Sequence, residues 1–169
     1  MTDKVPEEAA AERFQDFIED LQAQGKNVQL VQAPPVQTLE ELASHLGCDV
    51  AQLHKTVCLN YKDSTGRHLV AVIVPASGRV DMEKVARTIG IDRVKAAQPD
   101  FIEEQTGFVP GGIPPVGFEA QRLIDHRIFQ HQEIFAGGGN NLNSYTQMDP
   151  RILRELYPNA IVGDFLQQQ

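Results

Sequence analysis

Hydrophobic residues recur at helical spacing near the start of the chain, across residues 7–24. Intervals of three and four residues are typical of an amphipathic helix that packs one face on a core. The apolar positions are Ala10, Phe14, Phe17, Ile18 and Leu21. Gly25 follows the last of them, and glycine commonly ends helices. The pattern therefore predicts an N-terminal helix that ends at Gly25.

Capping residues mark the start of several further helices. Thr38–Glu41 has the spacing of a capping box, and Gly47 follows the apolar stretch behind it. Asp49 predicts a short second helix through His54, and Asp81 predicts a helix over residues 82–89. The remaining predicted helices are Pro99–Gln105 and one that opens at Asp149–Pro150 and runs to about Tyr157.

Alternation of apolar and polar positions predicts strands in the rest of the chain. Thr56–Lys62 alternates, Asp63–Gly66 has the composition of a turn, and His68–Val74 is almost continuously aliphatic. These segments predict a hairpin whose second strand is buried. Shorter strands are predicted at Val28–Gln32, Arg122–Asp125, Glu133–Phe135, Tyr145–Met148 and Ala160–Phe165. The irregular order of helices and strands favours an α+β domain with a mixed or antiparallel sheet over a doubly wound fold.

Composition is that of an ordinary globular domain. The chain has 169 residues, 41% of them hydrophobic, and no apolar run approaches the roughly 20 residues needed to span a bilayer. The acidic start lacks the apolar region of a signal peptide. Two cysteines, Cys48 and Cys58, are too few for a disulfide scaffold. These features predict a cytoplasmic protein without membrane contact.

The net charge of −8 is unevenly distributed. Residues 1–24 contain seven acidic and two basic side chains. A broad basic face for duplex nucleic acid is therefore not expected. A local basic cluster remains, which is either solvated surface or a contact for a nucleic-acid end; it comprises Lys84, Arg87, Arg93 and Lys95.

The segment Gly107–Gly117 contains seven glycines and prolines in eleven residues. Glycine permits positive φ and close approach of a ligand, whereas proline fixes φ and lacks an N–H donor. The composition predicts a rigid loop with exposed backbone amides, suited to a small polar ligand; two tight turns without a ligand are the structural alternative. Neither this segment nor Gly137–Gly139 has the spacing of a phosphate loop or dinucleotide fingerprint.

Other constellations of reactive residues are weaker. His45, Cys48, His54 and Cys58 fit no standard zinc spacing, and neither thiol has a neighbour that would activate it. No metal and no cofactor are therefore expected. The two helices around Gly47 superficially resemble a helix-turn-helix, but the second is too short to read DNA.

Lys55 and Asp125 are the side chains with the best claim to a site. Lys55 is predicted at the junction of a short helix and a strand, where side chains project from the end of a sheet. Asp125 ends a Leu-Ile pair, where it either caps a turn or faces a cleft. A surface lysine and a structural carboxylate are the alternatives.

Taken together, these motifs resemble the YbaK family, which includes the editing domain of bacterial prolyl-tRNA synthetases and free-standing relatives. The likeness covers roughly residues 27–166, so residues 1–26 are expected to be an N-terminal helical extension and 27–169 the editing-like domain. The motifs are Leu53–Val57, Gly107–Gly117, Leu123–Asp125, Ile134–Gly138 and the helix after Met148. The resemblance implies a barrel-like mixed sheet with surrounding helices.

The resemblance also implies hydrolysis of the ester of a wrongly charged tRNA. The family's catalytic positions correspond to Lys55, Gly111, Gly112 and Asp125. Positions that correspond to substrate contacts are Gly107, Pro110, Ile113, Pro114, Pro115, Ala136, Gly137 and Gly138. Amides of Gly111 and Gly112 would stabilise an oxyanion, while Lys55 would hold the terminal ribose or phosphate. In 169 residues no synthetase catalytic domain fits, which implies action in trans.

Two residues depart from the family pattern. Ala136 stands where some branches have Ser or His, and Pro114 where others have Ser or Thr, so two polar groups are missing. This leaves the identity of the amino acid and of the tRNA open. It also keeps open a non-catalytic module that binds an aminoacyl-tRNA end or a protein partner. Binding to tRNA is expected to be weak and salt-sensitive, with a synthetase or elongation factor as a candidate source of selectivity.

Overall fold

The computed structural model describes residues 6–139 and 142–168, which form five α-helices, two 3₁₀ helices and eight strands. The α-helices are α1 (Pro6–Ala23), α2 (Leu39–Leu46), α3 (Met82–Ile89), α4 (Pro99–Thr106) and α5 (Arg151–Leu156). The 3₁₀ helices are Val50–Gln52 and His126–Gln130. The strands are β1 (Val28–Gln32), β2 (Leu53–Asp63), β3 (Gly66–Pro75), β4 (Lys95–Ala96), β5 (Gln121–Asp125), β6 (Ile134–Gly137), β7 (Ser144–Met148) and β8 (Ile161–Gly163).

The strands form one mixed sheet in the order β1-β7-β6-β2-β3-β5-β8, with β4 attached to β2. The pairs β2/β6, β3/β5 and β5/β8 are parallel, and the other pairs are antiparallel. The α+β class and the mixed sheet are therefore confirmed. So is the hairpin, in which Asp63 pairs with Gly66 and the aliphatic β3 is buried from Leu69 to Val74.

One predicted element is wrong. Asp49–His54 does not form a helix to its end, because Leu53 and His54 already pair with Phe135 and Ala136 of β6. Only a single 3₁₀ turn, Val50–Gln52, precedes the strand. Lys55 is therefore the third residue of β2 and does not lie at a helix–strand junction.

Helix α1 packs into the central core. Ala10, Phe14, Ile18 and Leu21 are buried with the inner face of the sheet, and Leu21 is followed by the predicted end at Gly25, whose φ is 84°. Such a stripe of buried apolar side chains is what holds an amphipathic helix on a domain. The buried side chains of α1 therefore belong to the same hydrophobic core as those of the sheet.

The Phe14 ring also limits the space at two glycines outside the helix. A Cβ on Gly117 would lie 3.1 Å from that ring, and a Cβ on Gly139 would overlap it. These glycines belong to the two glycine-rich segments of the sequence, which α1 therefore supports from the core side.

No helix in the described ranges is long and apolar enough to cross a membrane.

Candidate active site

The candidate site opens where two neighbouring strands diverge. β2 and β6 are paired only through Leu53–Phe135 and His54–Ala136. β2 then continues through Lys55 and Thr56, whereas β6 ends at Gly137. Gly138 and Gly139 have φ values of 103° and 102°, a region that favours glycine, so the chain turns away from β2. The divergence leaves room beside Lys55 and Thr56.

The loop after α4 closes this opening. Gly107 ends α4 with φ 80°, and Gly111 has φ 86°. The N–H of Gly112 donates to the Val109 carbonyl at 2.9 Å, which closes a tight turn. The N–H of Gly139 then donates to the Gly112 carbonyl at 2.9 Å and joins the two glycine-rich segments.

A cavity of about 170 Å³ lies between these parts of the chain, lined by Lys55, Thr56, Gly111, Ile113 and Gly137. Within the described part of the chain, the N–H groups of Gly111 and Ile113 have no hydrogen-bond partner. Unpaired donors beside a cavity can bind a carbonyl oxygen or an oxyanion.

The predicted pair of amide donors needs a correction. The Gly112 amide is not free, because the turn to Val109 uses its hydrogen. Among the residues that line the cavity, the loop donors that remain free are those of Gly111 and Ile113.

Lys55 brings a cation to the cavity wall. Burial lowers the pKa of its ammonium group, and the charge of Arg79 lowers it further. No carboxylate forms an ion pair with Lys55 among the residues that the structure describes. The ammonium is therefore available to an anionic or strongly polar ligand.

Thr56 brings a hydroxyl that is buried and has no hydrogen-bond partner. In the sequence Thr56 stood out only as part of the motif Leu53–Val57, and the missing partner of its hydroxyl is a property of the folded chain. His54 Nε2 and Thr146 Oγ1 are also buried without partners. Ala136 pairs with both His54 and Thr146, so these two side chains flank it on one face of the sheet.

Asp125 is placed differently from the expectation that it faces the cleft. Its side chain is fully buried and does not line the cavity. The carboxylate accepts hydrogen bonds from Arg127 Nη1 at 2.9 and 2.8 Å, from the Arg127 backbone at 3.1 Å and from the Phe165 backbone at 3.0 Å. Its oxygens are thus engaged in joining β5 to the segment after β8.

Arg122, which the sequence did not single out, fixes the end of the glycine-proline loop. Its side chain is buried and donates to the carbonyls of Pro115 at 3.2 Å and Phe118 at 3.1 Å. The guanidinium carbon lies 4.6 Å from the ring centre of Phe118 and 3.7 Å from that of Tyr157. This arrangement holds Pro115, two residues beyond the cavity wall, by charge-assisted hydrogen bonds.

The other predicted contact residues fall into two groups. Gly137 lines the cavity and Gly138 touches the loop, since a Cβ on Gly138 would lie 2.5 Å from the Gly112 carbonyl carbon. The rest lie behind the wall or away from it. Gly107 is the α4 cap beside Arg13, Pro110 is exposed, and Pro114, Pro115 and Ala136 are buried.

The thiols are poorly suited to nucleophilic chemistry. Burial raises the pKa of Cys58 to about 11, and burial together with Asp49 and Glu133 raises that of Cys48. A thiol above its ordinary pKa holds little thiolate at neutral pH. Across residues 6–139 and 142–168, no group of three His, Cys, Asp or Glu side chains has the proximity to hold a metal ion.

The comparisons with known proteins identify the family. Residues 33–156 match the family model described as the aminoacyl-tRNA editing domain. The match covers most of the chain, which therefore belongs to this family. Its motifs and fold were those expected from the resemblance to YbaK-like proteins.

Individual relatives agree with this assignment. The chain is 28% identical over 118 residues to proline–tRNA ligase of Thermosipho melanesiensis, covering 70% of the chain and 20% of the ligase. It is 23% identical over 120 residues to YwhH of Bacillus subtilis, covering 70% of the chain and 73% of YwhH. The chain thus spans about a fifth of the length of the synthetase.

A solved structure matches nearly the whole fold. A crystal structure described as a proposed trans-editing enzyme for prolyl-tRNA synthetase superposes with a TM-score of 0.76 and 25% identity. The match covers 98% of this chain and 100% of the other. Helix α1 and the strands β1 and β8 therefore fall within the structural likeness, although the family model does not reach them.

Proposed function

We propose that this protein hydrolyses the ester bond of mischarged aminoacyl-tRNA, acting in trans on a small amino acid attached to a tRNA(Pro)-type substrate. The observation that carries the proposal is one cavity lined by Lys55 and by Gly111 and Ile113, whose backbone amides are free. Family membership and the prolyl-tRNA synthetase relatives supply the substrate class.

The chemistry needs few protein groups because an aminoacyl ester is already activated. Water attacks the ester carbonyl carbon, and negative charge develops on the carbonyl oxygen. Donation from Gly111 and Ile113 stabilises that oxyanion, and such donors contribute most where water is excluded. The C–O bond to the ribose then breaks, and the ribose oxygen takes up the proton released by the water.

Lys55 and the substrate complete this arrangement. The described cavity lining contains no carboxylate or imidazole that would activate the Thr56 hydroxyl and no thiol, so no protein nucleophile is assigned. Lys55 acts as a point charge toward the ribose or phosphate of the terminal nucleotide. The neighbouring 2′-hydroxyl of the tRNA orients the attacking water.

The test is hydrolysis of tRNA(Pro) charged with Ala, Cys, Ser or Thr by wild type, Lys55→Met and Lys62→Met. Lys62 lies on the same strand as Lys55 but is exposed near the hairpin turn, so its variant is the matched control. Lys55→Met is expected to lose on the order of 100-fold in kcat/KM, while Lys62→Met stays within about twofold of wild type.

Two outcomes would contradict the proposal. If a folded wild-type protein hydrolyses no ester faster than buffer, the alternative of a non-catalytic module that binds an aminoacyl-tRNA end or a protein partner takes its place. If Lys55→Met retains wild-type turnover, the cavity is not the reaction site. Circular dichroism of each variant establishes that the fold is retained.

A further inference from the structure

A second cavity, of about 770 Å³, lies beyond the end of β3. The charged side chains that line it are Arg79, Lys84, Arg127 and Asp164. Three cationic groups against one carboxylate leave a net charge of +2, in a chain whose net charge is −8. A positive cavity on an acidic protein concentrates anions there.

Two of the three cations are already paired with acidic side chains. Lys84 Nζ lies 3.1 Å from Asp164, and Arg127 Nη1 lies 3.2 Å from Asp164 and 2.8 Å from Asp125. Arg79 is exposed, and within the described residues its guanidinium forms no ion pair. Arg79 is thus the cation of this cavity that remains available to a ligand.

This cavity adjoins the candidate active site through the β2–β3 pair. His54 of β2 pairs with Pro75, the last residue of β3. Lys55, which lines the first cavity, and the segment Ser77–Arg79, which lines the second, therefore lie at the same end of the hairpin. The Arg79 charge acts on the Lys55 ammonium and lowers its pKa, after the larger effect of burial. An anion that binds between or beside these two cations would offset their repulsion.

The two cavities differ in size, and the difference indicates ligand groups of different size. The Lys55 cavity, at about 170 Å³, has room for an ester group and a small side chain. Drug-sized or nucleotide-sized ligands occupy pockets of roughly 300–1,000 Å³. The second cavity falls within that range, at about 770 Å³, and Ser77 and Gln167 add polar side chains to its wall.

We propose that this second cavity binds the phosphodiester backbone of the RNA 3′ end whose ester lies at Lys55, with Arg79 as the principal phosphate contact. The proposal rests on the proposed function, which places the terminal ribose next to Lys55. Arg79 presents a planar fork of donors that matches phosphate oxygens. Lys84 and Arg127 share the single charge of Asp164, and Arg127 also pairs with Asp125, so these two cations are less available to a phosphate than Arg79.

The experiment compares two substrates in wild type, Arg79→Gln and Arg67→Gln. One substrate is the aminoacyl-tRNA that wild type hydrolyses best, and the other is the same amino acid esterified to adenosine, which has no phosphate. Arg67 is exposed near the start of β3, at the opposite end of that strand from the cavity, and serves as the control. Arg79→Gln is expected to lower kcat/KM for the tRNA about 10-fold, mainly through KM, and to leave the adenosine ester unchanged. The slope of log kcat/KM against log salt is expected to shrink by about 0.7 for each phosphate that the variant no longer neutralises.

A binding measurement separates this proposal from the proposed function. A fluorescent single-stranded RNA ending in CCA reports binding whether or not an ester is hydrolysed. Weaker binding by Arg79→Gln than by Arg67→Gln supports the phosphate site even if turnover is absent.

Three results would overturn the phosphate site at Arg79. An equal loss of kcat/KM on both substrates in Arg79→Gln would place Arg79 at the ester. Wild-type kcat/KM and wild-type RNA binding in Arg79→Gln would show that Arg79 does not bind phosphate. Displacement of the RNA by inorganic phosphate at the same concentration as by unlabelled RNA would assign the cavity to a free anion.

Discussion

The backbone N–H of Gly139 donates a hydrogen bond to the carbonyl of Gly112 at 2.9 Å, and this bond joins two segments that are far apart in the chain. At Gly138, next to Gly139, the two segments are too close for a side chain. A Cβ there would lie 2.5 Å from the Gly112 carbonyl carbon and 2.6 Å from its oxygen. The wall of the candidate site therefore depends on close contact between two glycine backbones.

Gly138→Ala should damage both stability and hydrolysis. The new methyl meets backbone, which cannot rotate away, and φ at this position is 103°. We expect the free energy of unfolding to fall by about 2–4 kcal/mol, from overpacking and backbone strain together. Urea unfolding gives the stability, and ester hydrolysis is measured at a temperature where the variant is folded.

Gly66→Ala is the control for the backbone strain. Gly66 has φ 125°, but a Cβ there would have no atom within 4 Å. It should lose only the strain contribution, about 1–2 kcal/mol, and retain activity. Equal stability losses in the two alanine variants would show that the contact with Gly112 has no energetic weight.

Thr56→Val should separate stability from activity. The Thr56 hydroxyl is buried without a partner, so its replacement by a methyl group removes an unsatisfied polar atom and keeps the shape. The free energy of unfolding should stay equal or rise by up to about 1 kcal/mol. Because Thr56 lines the Lys55 cavity, kcat/KM for the ester should fall by about 10-fold.

Thr146→Val provides the comparison. Its hydroxyl is also buried and unpaired, but Thr146 is not among the described residues that line the cavity. It should gain stability as Thr56→Val does and hydrolyse the ester at the wild-type rate. A loss of activity in both variants, or in neither, would contradict a role of the Thr56 hydroxyl in the site.

Local signals allowed most elements to be predicted from the sequence. Thr38 caps α2 through the N–H of Glu41, and Gly47 and Gly90 end their helices with φ of 72° and 76°. These caps act over a few residues, so the sequence pattern contains them. The β2–β3 hairpin is equally local, because its two strands are joined by a short turn.

The details of the site depend on contacts that no local pattern contains. His54 reads as part of a helix until Ala136, more than eighty residues later, pairs with it. The Gly112 carbonyl reads as free until the N–H of Gly139, in a distant segment of the chain, donates to it. Family resemblance predicted Lys55 and Gly111 as site residues, and both line the cavity, whereas the buried, unpaired hydroxyl of Thr56 and the position of Arg79 follow from the tertiary structure.

Asp125→Asn should reduce stability without reducing the activity of folded molecules. The carboxylate accepts two hydrogen bonds from the Arg127 guanidinium and one from the Phe165 backbone. An amide would place its own donors against one of these donors and leave Arg127 with only the longer, exposed ion pair to Asp164 among the described residues. Since hydrogen bonds to charged groups contribute about 1.5–3 kcal/mol, we expect a loss of about 2–3 kcal/mol.

Hydrolysis by the folded variant distinguishes this structural role from the catalytic one implied by the family resemblance. With activity normalised to the folded fraction, Asp125→Asn should stay within about twofold of wild type. A drop of about 100-fold with an unchanged unfolding curve would instead make Asp125 part of the reaction.

His54 should make the fold sensitive to mild acid. Its ring is buried, Nδ1 lies 3.0 Å from the Gln52 carbonyl, and Nε2 has no partner. Burial is the main reason that the pKa of His54 is lowered from 6.5 to about 4, and the neighbouring His131 lowers it further. The unfolded chain therefore binds a proton in a pH range where the folded chain does not.

The sign and the window follow from this difference in pKa. Between pH 6.5 and about 4 the unfolded state holds more protons, so the free energy of unfolding decreases as the pH falls. At 1.36 kcal/mol per pKa unit the full effect is about 3 kcal/mol. Asp63 and Asp164, whose pKa values are lowered to about 2 by their hydrogen bonds, lose their stabilising effect only below about pH 4.

Urea unfolding at pH 7, 6, 5 and 4.5 checks this in wild type, His54→Gln and His45→Gln. His45 is exposed on α2, so its variant should follow the wild-type pH dependence. His54→Gln removes the titrating group and should lose most of the slope between pH 6.5 and 4.5, whatever its stability at pH 7. The buried histidine would have no part in acid sensitivity if His54→Gln and wild type showed the same slope. Because the slope is compared, a general destabilisation by the substitution does not affect the result.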